Sequence, residues 1–142
     1  MFSTQIYITQ NTAAPRRQRR RYGYVITLDG RDYTRTGFGE VEGTYHHATL
    51  TAILEALDRF SANCQVTIHS EDAWVLKMLL NALPRWHENG YQTSKGDRIK
   101  DAELWEHLFD KQQYQKIEVV PGRHGYSSWL QSEMKRMEEG KG

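Results

Sequence analysis

The longest regular pattern of apolar positions runs from Thr44 to Phe60 and predicts one amphipathic helix. Its large apolar residues recur at helical spacing, and a row of alanines lies beside them: Leu50, Ile53, Leu54 and Leu57, then Ala48, Ala52 and Ala56. Thr44 precedes the pattern and suits an N-cap. Because the two rows cover much of the helix circumference, we expect this helix to lie on a sheet.

Shorter β-prone runs surround this helix and predict five strands. They are Gln5–Ile8, Tyr22–Leu28, Arg31–Thr36, Gln65–Ile68 and Lys116–Val120. Asp29 and Gly30 form the sequence pair typical of a two-residue hairpin turn between the second and third strands. The glycine-containing segment Gly37–Gly43 is expected to be a loop that leads into the central helix.

Three further amphipathic segments predict helices: Glu71–Leu83, Asp101–Lys111 and Ser128–Met137. Pro84 is expected to end the first of them, and Asp101 to cap the second. Residues 138–142 are expected to be frayed. The order of elements predicts an α/β fold in which an antiparallel hairpin of strands feeds βαβ units, giving a mixed five-stranded sheet with helices on both faces.

Length and composition fit one globular domain over residues 1–142, with 38% hydrophobic residues. The formal net charge of +1 says little about partners. Cys64 is the sole cysteine, so an internal disulfide and a cysteine-based zinc site are excluded. No run is long and apolar enough to cross a membrane, and the N-terminal segment lacks the pattern of a signal peptide. We therefore expect a cytoplasmic protein.

Several local runs, taken in order, resemble bacterial-type ribonuclease H. The fullest match is Trp86–Phe109, with weaker ones at Tyr33–Thr36, Leu50–Leu57 and Val119–Gly125. The resemblance spans nearly the whole chain and implies a ribonuclease H-like fold. Members of that family cut the RNA strand of RNA–DNA hybrids with two magnesium ions held by four carboxylates. Hard divalent cations require such anionic oxygens.

Local alignment to the family places the four carboxylate positions at Gln10, Thr49, His69 and Glu133. Three of the four are not carboxylates, which implies that metal-dependent cleavage is lost and that no cofactor is held. The family's catalytic histidine corresponds to Arg123, or to His124 after a one-residue shift. Relocated catalysis through Glu71, Asp72 or Glu55 remains an alternative, in which magnesium or manganese would be needed. A second alternative is a zinc site formed by histidines, for which the candidate ligands are His46, His47, His69 and His124.

The run Arg16, Arg17, Arg19, Arg20 and Arg21 falls where the family has a glycine-rich turn between its first two strands. Guanidinium groups grip phosphates in bidentate fashion, so a loop of arginines there is expected to bind nucleic acid in a salt-dependent way. The alternative is a solvated hairpin tip. Thr44 corresponds to a family residue that helps to hold a DNA phosphate, although a simple N-cap explains it equally well.

The polar segment Arg85–Lys100 corresponds to the family's basic protrusion, where Lys95, Arg98 and Lys100 are the candidate phosphate contacts. Trp86 and Trp105 are expected to pack within it, and Trp74 and Trp129 to lie in or beside the core. Three hypotheses follow: an inactive ribonuclease H-like domain that binds a duplex or RNA–DNA hybrid, a divergent nuclease, and an adaptor that contacts a protein partner in a nucleoprotein complex.

Overall fold

The structure, a computed structural model, describes residues 2–60 and 64–140. The strands are β1 (Phe2–Gln10), β2 (Gln18–Leu28), β3 (Thr34–Gly43), β4 (Cys64–Ser70) and β5 (Lys116–Pro121). The helices are α1 (Tyr45–Leu57), α2 (Ala73–Asn81), α3 (Leu83–Glu88), α4 (Ala102–Gln112) and α5 (Ser127–Gly140).

The strands form one mixed sheet in the order β3-β2-β1-β4-β5. β1, β2 and β3 pair in antiparallel fashion, whereas β4 runs parallel to both β1 and β5. Helix α1 makes the crossover between the antiparallel strands and β4. The predicted mixed α/β sheet is confirmed, and it brings the C-terminal ends of β1 and β4 together beside the start of α1.

Apolar side chains on the two faces of the sheet form two cores. On one face, Ile6, Ile8 and Ile26 pack with side chains of α1, α2 and α4, including the buried Trp105. On the opposite face, α5 covers a smaller core formed by Val25, Leu130 and Met134. The prediction of helices on both faces is therefore also confirmed.

The third strand lies later in the sequence than predicted, because β3 begins at Thr34 and includes the glycine segment expected to be a loop. Tyr22 pairs with Gly39 and Tyr24 with Gly37 across β2 and β3. A Cβ atom at either glycine would come within 2.3 Å of the paired tyrosine ring. The glycines thus belong to the strand, and the tyrosine rings take the space of their missing side chains. The turn at Asp29 and Gly30 is present, but the connection spans residues 29–33.

Two helix predictions are also corrected. The helix predicted over Glu71–Leu83 is α2, which ends earlier, at Asn81. Pro84 does not end it but lies in the first turn of a further helix, α3, where no amide donor is needed. The expected fraying from residue 138 is wrong for 138–140. These residues are helical, and Glu138 forms an ion pair with Arg21 of β2. Residues 141 and 142 lie outside the described part.

His124 ties the connection between β5 and α5 to the end of β1. Its Nε2 lies 2.9 Å from the carbonyl oxygen of Ile8 and 3.1 Å from Thr9 Oγ1, while its Nδ1 accepts from the Tyr126 amide. These contacts fit a neutral ring with its proton on Nε2. Burial lowers the pKa of His124, and burial with the nearby His124 lowers the pKa of His69. Both rings are therefore protonated less readily in the folded chain than in the unfolded chain.

We expect Gly39→Ala to destabilise the fold by about 1–3 kcal/mol, since the new methyl group meets the Tyr22 ring. Denaturant unfolding monitored by circular dichroism measures the change. Gly125→Ala is the matched control, because a Cβ there meets nothing within 4 Å. Equal effects of the two substitutions would contradict the role of the tyrosine ring.

Stability is expected to fall as the pH drops below about 6.5, the ordinary pKa of an unfolded histidine. Unfolded His69 and His124 then take up protons that the folded chain, with lowered pKa values, does not bind. Melting temperatures between pH 8 and pH 5 test this expectation. His124→Gln should reduce the acid loss, whereas His107→Gln, on an exposed position of α4, should leave it unchanged. An identical acid loss in all three proteins would refute the assignment.

Candidate functional site

Arg20 is the residue around which the candidate site is built, and it is buried instead of solvated. Only 1% of its surface is exposed, because β2 begins at Gln18 and its alternation turns Arg20 inward. The expectation that the whole arginine run forms a projecting loop is therefore wrong at this residue. Residues 11–17, which we call the first loop, wrap around its guanidinium group.

All five guanidinium N–H groups of Arg20 have an acceptor. Nε donates to the carbonyl of Gly43 at 2.9 Å, and Nη1 donates to Gln10 Oε1 and to the carbonyl of Thr12, both at 3.3 Å. Nη2 donates to the carbonyls of Ala14 and, at 2.6 Å, Arg16. These acceptors are neutral. Burial lowers the pKa of Arg20, yet a guanidinium keeps its proton, so a fixed positive charge lies beneath the first loop.

The other arginines of the run differ in solvent exposure and in ion pairing. Arg21 is also buried and forms ion pairs with Glu40 and with Glu138, so it joins β2 to β3 and α5. Arg19 is exposed but forms an ion pair with Glu40. Arg16 and Arg17 are exposed in the first loop. Of the exposed arginines, Arg16 and Arg17 are thus the two without an ion pair among the described residues.

A cavity of about 100 Å³ opens beside the first loop, and we call it the rim cavity. Its polar lining includes Gln10, Asn11, Thr49, Ser70, Glu71 and Gln131. Gln10 Nε2 donates to Thr49 Oγ1 at 2.9 Å and to the carbonyl of Tyr45 at 2.7 Å. Gln10 thus connects the Arg20 guanidinium to the first turn of α1.

Two of the four positions inferred from the family resemblance lie elsewhere. His69 projects from the face of β4 that α5 covers, where it contacts Gln5 Oε1 at 2.6 Å and stacks on Tyr7. Glu133 does not line the rim cavity and instead forms an ion pair with Arg136. The structure therefore brings Gln10 and Thr49 together but not His69 or Glu133.

The sequence named Glu71 only as a candidate for relocated catalysis, and it did not single out Gln131. The position inferred from the family resemblance was His69, whereas β4 extends to Ser70 and Glu71 follows directly after it. Gln131 adjoins Leu130, which is buried together with Met134 at helical spacing. The apolar row of α5 was therefore the sequence signal from which the position of Gln131 could have been inferred. Glu71 is ion-paired with Arg123 at 3.2 Å. It is the one carboxylate among the described residues that line the cavity.

A second concavity, of about 190 Å³, lies between the first loop and the start of α4, and we call it the aromatic groove. It is lined by Pro15, Thr44, His46, Trp74, Lys100, Asp101 and Trp105. Trp74 is 45% exposed and packs against the ring of His46, with a centroid separation of 4.5 Å. The Trp74 ring thus has an accessible surface beside a lysine and beside the loop that carries Arg16 and Arg17.

Two histidine–aspartate pairs brace this groove, and neither was anticipated from the sequence. His46 Nδ1 lies 2.8 Å from Oδ2 of the buried Asp72, which also caps α2 through the Val75 amide. His47 Nδ1 lies 2.8 Å from Asp101 Oδ1. Asp101 occupies the N-cap position of α4, as predicted, with a φ of 59°, but its side chain makes no capping bond. Its carboxylate instead ties the start of α4 to α1.

The other residues predicted to contact nucleic acid lie in different parts of the structure. Thr44 caps α1 by accepting from the His47 amide at 3.2 Å, and it also lines the aromatic groove. Lys100 reaches that groove, whereas Arg98 lies 3.8 Å from Glu106 and Lys95 is exposed in the preceding turn. Both ring nitrogens of His124 contact groups of the fold. Of the three predicted cations, Lys100 is thus the one that lines the aromatic groove together with Pro15 of the first loop.

Within residues 2–60 and 64–140, no three histidine, cysteine or acidic side chains are grouped as a metal site would require. The same part of the chain contains no helix with the length and apolarity needed to span a membrane.

Known proteins with similar sequences support the fold assignment. The RNase H family matches residues 5–130 of this chain. A ribonuclease H from Xanthomonas campestris pv. campestris is 32% identical over 103 residues, which cover 71% of this chain and 68% of that protein.

Solved structures are similar at lower sequence identity. The foamy viral protease-reverse transcriptase in complex with dsDNA has a TM-score of 0.66 and 17% identity, over 92% of this chain and 90% of that chain. The same viral protein in complex with an RNA/DNA hybrid has a TM-score of 0.64 and 15% identity, and the match covers 96% of this chain. This chain spans only 19% of that viral chain. Because the family match extends over most of its length, the chain belongs to the RNase H family.

Proposed function

We propose that this chain is an RNase H domain that binds nucleic acid without cleaving it by the two-metal reaction. The observation that carries the proposal is the contrast between two adjacent features. The aromatic groove has exposed aromatic and cationic groups, whereas the neighbouring rim cavity has a single carboxylate, Glu71.

The groove has the components that bind a nucleic-acid strand. Lys100, Arg16 and Arg17 supply positive charge for phosphates, and Trp74 supplies an exposed ring against which a base or sugar can pack. The two histidine–aspartate pairs fix the groove walls, so little ordering is required on binding. The viral relative with this fold is known in complexes with dsDNA and with an RNA/DNA hybrid, which makes a duplex or hybrid the first ligand to test.

The rim cavity does not fit a pair of divalent ions. Two magnesium ions bring four positive charges, and such ions are held by several carboxylates. Here Gln10, Thr49 and Gln131 contribute neutral oxygen donors, and Glu71 is already paired with Arg123. The buried Arg20 adds a positive charge beside Gln10. Each of these features disfavours divalent cations at this position.

A divergent nuclease is the second candidate, because Glu71 does line the cavity and the bacterial relative carries the name ribonuclease H. A labelled RNA–DNA hybrid incubated with magnesium or manganese separates the two candidates. We expect no metal-dependent product from this chain under conditions in which an active ribonuclease H cleaves the hybrid completely. Cleavage that is lost in Glu71→Gln would favour the nuclease and reject the proposal.

Replacing Arg16 and Arg17 together by alanine should weaken binding to a hybrid about 10-fold and flatten the salt dependence by about two counterions, if each side chain neutralises one phosphate. Fluorescence anisotropy over a salt series measures both quantities. The matched control replaces Lys135 and Arg136, two exposed cations on α5, by alanine. If both double variants bind like the unmodified chain, the first loop is not a phosphate contact. If the unmodified chain binds no DNA, RNA or hybrid, a protein-binding role replaces the proposal.

Trp74→Ala should weaken the same interaction by about 1–3 kcal/mol with little change in the salt slope, because stacking involves no counterion release. The anisotropy salt series again provides the measurement. Trp129→Ala is the control, since Trp129 is similarly exposed, at 47%, but lies on α5. Equal losses in the two variants would argue against a specific role for the aromatic groove.

A further inference from the structure

We infer that the Arg20 guanidinium is a built-in cation beside the rim cavity, and that it would exclude a divalent metal ion even if the missing carboxylates were restored. This inference rests on the proposed function and deepens it. If the loss of carboxylates were the sole reason for weak metal binding, restoring the carboxylates would restore metal binding. A permanent positive charge predicts that it does not.

The first argument comes from the position of the charge. Arg20 Nη1 donates to Gln10 Oε1, and Gln10 lines the cavity from the end of β1. A carboxylate at position 10 would therefore meet a guanidinium within hydrogen-bonding distance. Such charge-assisted pairs are strong, and a carboxylate that is paired in this way is a poor ligand for a second cation.

The second argument comes from how firmly the charge is held. Five acceptors from β1, the first loop and the end of β3 surround one planar group, and the residue is almost fully buried. An arginine keeps its charge at all ordinary pH values. The guanidinium thus cannot lose its proton to admit a metal ion. Turning away would leave several buried carbonyl groups without donors, which is costly.

The third argument comes from the surroundings of the charge. The acceptors of Arg20 are backbone carbonyls and one side-chain amide, so none of them neutralises it. Its field therefore extends into the adjacent cavity, where Glu71 is the one carboxylate on the described lining and is shared with Arg123. Arg123 is 56% exposed at its side chain, so solvent screens it more than Arg20.

The test starts from a triple variant that restores acidity around Glu71: Gln10→Asp, Thr49→Glu and Gln131→Asp. Three further proteins each add one substitution to the triple variant: Arg20→Gln, Arg20→Lys or, as the control, Arg136→Gln. Arg20→Gln removes the charge, whereas Arg20→Lys keeps the charge but loses most of the hydrogen bonds. Arg136→Gln makes the same change of net charge on exposed α5. Circular dichroism melts select the conditions in which each protein is folded.

Manganese binding is then measured by water-proton relaxation and by the shift in melting temperature, without any nucleic acid. We expect Arg20→Gln to bind manganese at least 10-fold more tightly than the triple variant, and Arg20→Lys and Arg136→Gln to remain as weak as the triple variant. Equal affinity with and without Arg20→Gln, including no binding in either protein, would overturn the inference. Tight binding in Arg20→Lys would also overturn it, because a lost hydrogen-bond network and not the charge would then be the cause.

A parallel measurement with Arg123→Gln in the triple variant identifies which arginine matters. If Arg123→Gln and not Arg20→Gln opens the site to manganese, the inference about Arg20 is wrong. The proposed function fails separately, when the unmodified chain cleaves a hybrid or binds no nucleic acid. The two failures are therefore distinguishable.

Discussion

A buried guanidinium group surrounded by neutral acceptors is the interaction on which the site depends. Arg20 joins β1 through Gln10, the first loop through its carbonyls, and the end of β3 through Gly43. Burial of a charge is costly unless its hydrogen bonds are satisfied, and here each donor has an acceptor. The same group therefore shapes the loop and binds Gln10, which lines the rim cavity.

The two neighbouring concavities have different chemistry because different elements supply their walls. The rim cavity lies at the ends of β1 and β4, where amide and hydroxyl side chains converge. The aromatic groove lies between the first loop and α4, where Asp72 and Asp101 hold the two histidines of α1. Under the proposed function, a nucleic-acid strand contacts the groove, while the cavity beside it has one carboxylate. Binding and cleavage would then depend on separate parts of one fold.

Periodicity in the sequence was sufficient to predict the sheet, the central helix and the placement of helices on both faces, because each depends on local apolar spacing. It failed where a long-range contact decided the outcome. The glycines of β3 belong to a strand only because Tyr22 and Tyr24 cover them. Arg20 looked like part of a solvated run, since the carbonyls that surround it come from three segments. The end of β4 likewise lies two residues later than predicted, so Glu71 and not His69 lines the cavity.

The first loop is held mainly by its backbone carbonyls, with further bonds to the side chains of Asn11 and Thr12, which accept from the amides of Arg21 and Ala14. Arg20 binds the carbonyl oxygens of Thr12, Ala14 and Arg16, which every amino acid possesses. The exposed side chains of Arg16 and Arg17 are consequently free to vary without changing its course. Mutation can thus alter its charge or size over generations while the scaffold beneath persists, so ligand preference can evolve here at little cost in folding.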